Sequence, residues 1–218
     1  TAGAYARCVD TSVEEGPGGV VVTYEYKLAG VEDVIVPVCY ELRADGTIRL
    51  TATYPGAQGL PTMPCFGVEW ALPSSIDHLR FYGLGPVEAY ADRLDGANLG
   101  VWEASAVQGL APYAVPQETG YHPGARWCEV TDAEGHGLHI EARGELGVSL
   151  LPYSSAQIEQ ARHWWEMPAP ERRAATYLRL LTAQMGVGGD DSWGSPVHDE
   201  FHVDASGTQV LDVTLSLI

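Results

Sequence analysis

VVVTYEYKLAGVEDVIVPVCYELRADGTIRLTATY, residues 20–54, is the stretch on which the fold turns. Residues 20–28 and 34–43 are dense in β-branched and aromatic side chains, and residues 47–54 alternate apolar with polar. Asp45-Gly46 joins the second run to the third. A short Asp-Gly connection between β-rich runs predicts a hairpin, because glycine takes positive φ at low cost. The same period of two recurs outward along the chain. Residues 65–72, 79–82, 126–131, 138–143, 148–151, 177–185 and 201–203 are further strand candidates. In residues 208–218, Leu211, Val213, Leu215 and Leu217 alternate with Asp212, Thr214 and Ser216. That pattern puts one face on a core and the other in water.

One helix interrupts the pattern. Ser154-Ser155-Ala156-Gln157 has capping-box spacing, Ile158, Ala161 and Trp165 follow at helical intervals, and Pro168 and Pro170 stop it. Residues 172–175 are a candidate for one further turn, and Trp164 and Trp165 are placed to pack the helix on the sheet. Many short strands, one short helix and Gly/Pro-rich connections predict an all-β fold, a large antiparallel β-sandwich forming one domain over residues 1–218. A (β/α)₈ barrel takes about 250 residues and a helix after every strand, so this chain does not hold one. Residues 83–124 and 186–198 read as long loops.

The chain of 218 residues carries 12 Lys plus Arg against 29 Asp plus Glu, a net charge of −17. A surface this acidic repels phosphates and anionic lipid headgroups, which excludes nucleic acid and polybasic membrane docking and leaves neutral partners such as sugars. Lys27 is the only lysine. No apolar run approaches the ~20 residues of a spanning helix, and no signal peptide opens the chain. The start at Thr1 is that expected of a fragment. Cys8, Cys39, Cys65 and Cys128 are far apart and make no CxxC pair, which argues against zinc and thioredoxin-like chemistry. Cys39 and Cys65 lie in apolar runs where buried reduced thiols are expected, and a cytoplasmic location follows.

Candidate chemistry lies in the loops. In HDEFH, His198 and His202 have the spacing of a helical metal motif, but Pro196 and the Phe201/Val203 alternation predict a strand with His198, Glu200 and His202 on one solvated face. His136 and His139 flank a Gly-rich turn that reads as an exposed hairpin tip. Neither pair predicts a metal site. No P-loop or nucleophile elbow is present. GVGGDD resembles a phosphate cradle, but its two acids repel phosphate. Glu88, Asp92, Asp95, Glu118, Asp190 and Asp191 are the loop carboxylates from which an acid/base pair for glycoside cleavage would be drawn. Such residues more commonly brace loops and turns. Trp193, in MGVGGDDSWGSP, either offers its face to a sugar ring or plugs its own loop.

Four ordered strings carry a resemblance: GLGPVEAYADR (83–93), PYAVPQETGYHPGARW (112–127), VSLLPYSSAQIEQARHWWE (148–166) and MGVGGDDSWGSPVHDEF (185–201). Together they resemble the C-terminal, small-chain domain of bacterial β-galactosidases of glycoside hydrolase family two. The likeness is closest over residues 79–203 and looser over 1–78. It implies a galactose-mutarotase-like sandwich within an enzyme that hydrolyses terminal β-galactosides such as lactose with retention. It also implies that the catalytic glutamates, and the ligands of divalent and monovalent metal ions, belong to a barrel outside this chain, which itself carries no catalytic residue, metal ligand or cofactor. The position matching the family's active-site tryptophan is Trp193, with Gly188, Gly189, Asp190 and Asp191 as its supporting loop and Glu118 as a brace. Glu118-Thr119-Gly120 departs from the family's common Glu-Asn-Gly. The implied partners are a β-galactoside or acceptor sugar and the barrel, in a homo-oligomeric enzyme. Two rival readings are a mutarotase-like enzyme using His122 or His198 with Glu118, and a sugar-binding module without an enzyme.

Overall fold

A computed structural model describes residues 2–191 and 193–218. Twelve strands are formed among the described residues: β1 (Arg7–Gly16), β2 (Gly19–Leu28), β3 (Val31–Arg43), β4 (Ile48–Tyr54), β5 (Cys65–Pro73), β6 (His78–Gly85), β7 (Asn98–Ser105), β8 (Trp127–Thr131), β9 (Gly137–Ala142), β10 (Gly147–Leu151), β11 (Ala175–Gln184) and β12 (Gln209–Leu217). The helix α1 (Ser155–Gln160) is the only α-helix among the described residues. A nine-stranded sheet has the order β1-β2-β3-β4-β12-β9-β8-β6-β7, and a three-stranded sheet has the order β10-β11-β5. Every pairing between strands is antiparallel, so the chain is an all-β sandwich.

The hairpin read from residues 34–54 forms as β3 and β4. Gly46 turns at φ +85° and donates to Arg43, while the Asp45 carboxylate accepts from the backbone and hydroxyl of Thr47. Val34, Val36 and Val38 from β3 and Leu50, Ala52 and Tyr54 from β4 enter the core. They meet Leu211, Val213 and Leu215, the inward positions of β12, and Phe66, Leu178 and Leu180 from the smaller sheet. Full burial of each such aliphatic or aromatic side chain contributes about 1.5–3 kcal/mol.

Cover over this core is uneven. β5 and β11 lie against β4 and β12, the middle of the large sheet. One row of directly paired residues records the consequence: Val213, Leu50, Tyr40, Val22 and Val13 share a face from β12 outward to β1. Val213 and Leu50 are fully buried, Tyr40 and Val22 are half-buried, and Val13 is 61% exposed. The inner face at the β1–β2 end is therefore bare, with Val20, Val22 and Tyr24 of β2 partly covered and Val13 of β1 exposed between Thr11 and Glu15.

The structure corrects several expectations. Residues 201–203 are not a strand: Asp199–Phe201 is a 3₁₀ turn, and Val203 makes a single bridge to Met63. β1 is exposed along its length, so burial leaves no alternation in its sequence, and β7 lies inside the segment read as a loop. The capping box on Ser154 forms, but the helix ends at Gln160 and a separate 3₁₀ turn carries Trp164–Glu166. Trp164 packs as expected, its indole N–H donating to the carbonyl of Tyr113 at 2.6 Å. Trp165 does not; it is 78% exposed and stacks on His163. The turn expected at 172–175 is a 3₁₀ turn at Pro170–Arg172, with β11 starting at Ala175. All four cysteines are free, and Cys128, not Cys39 or Cys65, is the buried one.

Candidate functional site: the Trp193 loop and its supports

The segment from Met185 to His198 leaves the end of β11 and is pinned at its root. Met185 donates to Pro64, Gly186 donates to Phe201, and Gly188 donates to the Asp92 carboxylate at 2.7 Å. Gly188 and Gly189 then turn with φ of +67° and +96°, a conformation that side chains with a Cβ rarely adopt. Beyond them the two acids act locally. The Asp191 carboxylate accepts from the backbone N–H of Trp193 at 2.7 Å and of Ser195 at 3.2 Å. Hydrogen bonds from the Ser195 side chain and the Trp193 backbone hold its carboxyl below the usual aspartate range. Asp190 closes the neck by pairing with the His198 imidazole, whose pKa is raised by that hydrogen bond and by the negative charge. Trp193 stands at the tip, 93% exposed. It does not plug its own loop.

Glu118 supports a different element. Its carboxylate meets the Arg179 guanidinium at 2.7 Å, and Arg179 is only 5% exposed within β11. Burial works against that charge, but the charge and hydrogen bond of Glu118 outweigh it, so the guanidinium stays firmly protonated. Glu88 is similarly engaged, accepting from Gly120 N–H at 2.6 Å, the Thr119 hydroxyl at 2.9 Å, Arg93 at 3.1 Å and the Tyr113 hydroxyl. Tyr90 lies fully buried beneath, and burial pushes its phenol far above the usual range. Of the six loop carboxylates, Glu88, Asp92, Glu118, Asp190 and Asp191 are engaged with protein groups and Asp95 is exposed. The arrangement builds a hydrogen-bonded scaffold.

The histidines follow suit. His122 is buried against Phe81, with ring centroids 4.4 Å apart, and burial lowers its pKa to about 4. Such a ring stays neutral and enclosed, Glu118 is paired with Arg179, and His198, the other histidine of the mutarotase-like reading, is exposed and paired with Asp190. His139 stacks on Trp127 and contacts Glu129 at 3.2 Å. Among the described residues no group of three or more His, Cys, Asp or Glu could hold a metal ion. No described helix is long and apolar enough to cross a membrane.

Sequence reasoning did not single out Arg179, and it named Asp92, Asp190 and His198 without finding their partners. Arg179 signalled itself as a lone cation in the apolar run YLRLL, which demands a buried partner. The Asp190–His198 pair had no sequence signal beyond proximity. Asp92 gave none, because its partner lies 96 residues away.

The sequence model of the β-galactosidase small chain matches residues 3–215. A β-galactosidase, BgaC, of Bifidobacterium adolescentis is 48% identical over 99% of this chain and 21% of its own length. A β-galactosidase of Streptococcus thermophilus is 45% identical over 92% of this chain and 19% of its own. A β-galactosidase small subunit of Latilactobacillus sakei is 34% identical over 90% of this chain and 64% of its own. The chain thus spans about a fifth of the two long relatives and just under two thirds of the small subunit.

Proposed function

This chain belongs to the β-galactosidase small-chain family, and from that premise we propose that it is the non-catalytic C-terminal part of a retaining β-galactosidase of glycoside hydrolase family two. It completes the mouth of an active site whose catalytic carboxylates and metal ligands lie on a barrel elsewhere in the enzyme. The observation that carries this reading is Trp193, a large aromatic held out in solvent on a loop fixed at root, neck and tip. An indole face suits the C–H groups of a sugar ring, and its N–H suits a hydroxyl. Such a platform does not cleave a bond. It holds the leaving sugar or an acceptor beside the galactosyl intermediate, a proximity effect that favours transfer to sugar over transfer to water. The net charge of −17 is compatible with neutral β-galactosides such as lactose.

In the assembled enzyme, Trp193→Ala is expected to weaken acceptor binding up to about tenfold, from the roughly 0.5–1.5 kcal/mol of an aromatic contact. Transgalactosylation should fall with it, while cleavage of nitrophenyl galactoside changes little. The isolated chain should not cleave that substrate. Equal loss of both activities in the variant would assign Trp193 a structural role instead, and hydrolysis by the isolated chain would sink the non-catalytic reading.

The bare inner face at the β1–β2 end supports the docking part of the proposal. Apolar side chains such as Val13 and Val22 that point to the core side with little or no cover suit an apolar surface of the remaining enzyme. Val13→Glu puts a charge on this face at a site already 61% exposed. It should change the chain's own stability by less than about 1 kcal/mol. Association with the catalytic part, read by sedimentation velocity, should weaken at least tenfold. Undiminished association would assign docking to another face.

A further inference from the structure

We propose that Asp92 is the positioning residue that sets the direction of the Trp193 loop, and through it the aim of the sugar platform. The second half of this statement rests on the reading of Trp193 given above; the first does not.

The argument begins with what fixes Asp92. Its turn is held on both sides: Tyr90 is fully buried, and Arg93 donates its backbone N–H to Tyr90, lies over the Tyr90 ring at 5.2 Å and pairs with Glu88. Asp92 therefore has little freedom to follow the loop; the loop follows it. Its Oδ2 accepts the N–H of Gly188, the residue at which the chain first turns to positive φ. Gly186 is packed onto the same carboxylate, since a Cβ added there would come within 2.5 Å of Oδ2. The other oxygen, Oδ1, is buried without a hydrogen-bond donor among the described residues. A buried acceptor left unpaired costs stability. A carboxylate that offsets this with one loop hydrogen bond is poorly explained by stability and well explained by placement. Asp191 and Asp190 shape the tip and neck, but neither ties the loop to the body of the sandwich. Asp92 does.

The test uses backbone ¹⁵N relaxation on the 218-residue chain. In the native chain the amides of Gly188, Trp193 and Ser195 should show order parameters near the rigid value of about 0.85. In Asp92→Ala they should fall below about 0.6 while Leu211 and Val213 of β12 stay unchanged. Asp92→Asn should restore them, because its amide oxygen can accept from Gly188. Gly186→Ala provides an independent route, since it displaces the carboxylate without removing it, and should mobilise the same three amides. Unchanged order parameters in both Asp92→Ala and Gly186→Ala would overturn the proposal, as would mobility in Asp92→Asn equal to that of Asp92→Ala. A mobile loop whose Trp193→Ala enzyme still binds acceptor sugar normally would uphold Asp92 as the anchor and overturn only the platform.

Discussion

Glu118→Ala is expected to lower the unfolding free energy by about 3 kcal/mol, the lower end of the range for breaking a buried ion pair by deleting one partner. The reason lies in the member left behind. Arg179 is almost fully enclosed in β11, and without Glu118 its guanidinium keeps only weak partners among the described residues, a 3.5 Å contact with Gln184 and the neighbouring Cys65 thiol. Arginine does not escape by deprotonation, so the charge must be hydrated by opening the structure. The lower end of the range is appropriate because the Glu118 side chain is 29% exposed and water reaches the pair from that side. Arg179→Met should cost less, since an unpaired carboxylate at that exposure can be solvated. The double variant should recover most of the Glu118→Ala loss. Urea denaturation of the four proteins measures this as a double-mutant cycle. Additive losses would mean that the pair is not coupled, and a full loss in Arg179→Met would place the cost in packing rather than charge.

What could be read ahead of the structure depended on how local the governing interaction is. The β3–β4 hairpin was legible because its turn and both alternating strands lie within residues 34–54. The capping box was legible for the same reason, with donor and acceptor three residues apart. β12 was legible because one of its faces is buried and the other wet. β1 was not, since neither face is buried and nothing in its own packing imposes alternation. Residues 201–203 show the reverse error: a brief apolar alternation there comes from a turn packed against the loop root, where Phe201 accepts from Gly186.

The candidate site divides along the same line. Gly188, Gly189 and Asp191 act within a few residues of Trp193, and a Gly- and Asp-rich string around one tryptophan suggests a presented aromatic. Asp92, Glu118 and Arg179 act across 61 to 96 residues, so no spacing rule reaches them. Glu118 as a brace was drawn from resemblance, and it braces Arg179 of β11 rather than the loop that carries Trp193. The distant supports still obey simple chemistry, since a buried cation or a strained loop root requires a partner. Sequence states the requirement without naming the partner.

The second large effect is one of pH. His122 has its pKa lowered from 6.5 to about 4, chiefly because burial penalises the imidazolium. The backbone of Leu84 and Val87 and the charge of Glu88 only partly counter this. Between these two values the unfolded chain binds a proton that the folded chain refuses. The stabilising contribution is therefore complete above pH 6.5 and is lost as pH falls toward 4. A shift of this size corresponds to about 3 kcal/mol. Two other influences act in the same interval with opposite sign. The excess negative charge is discharged as pH approaches the isoelectric point near 4.6, which relieves repulsion in the compact state. His198, raised by Asp190, gains its proton more readily when folded, so its contribution is present at low pH and lost as pH rises. The observable is therefore a difference between proteins. Unfolding free energies of the native chain and of His122→Leu, measured from pH 7 to pH 4, should diverge by about 3 kcal/mol, with the native chain losing more. Its backbone pairing with Val148 does not involve the ring, so this substitution leaves the strand contact intact. Parallel curves would mean that His122 is protonated in the folded state, and the enclosed neutral ring beside Phe81 would have to be abandoned.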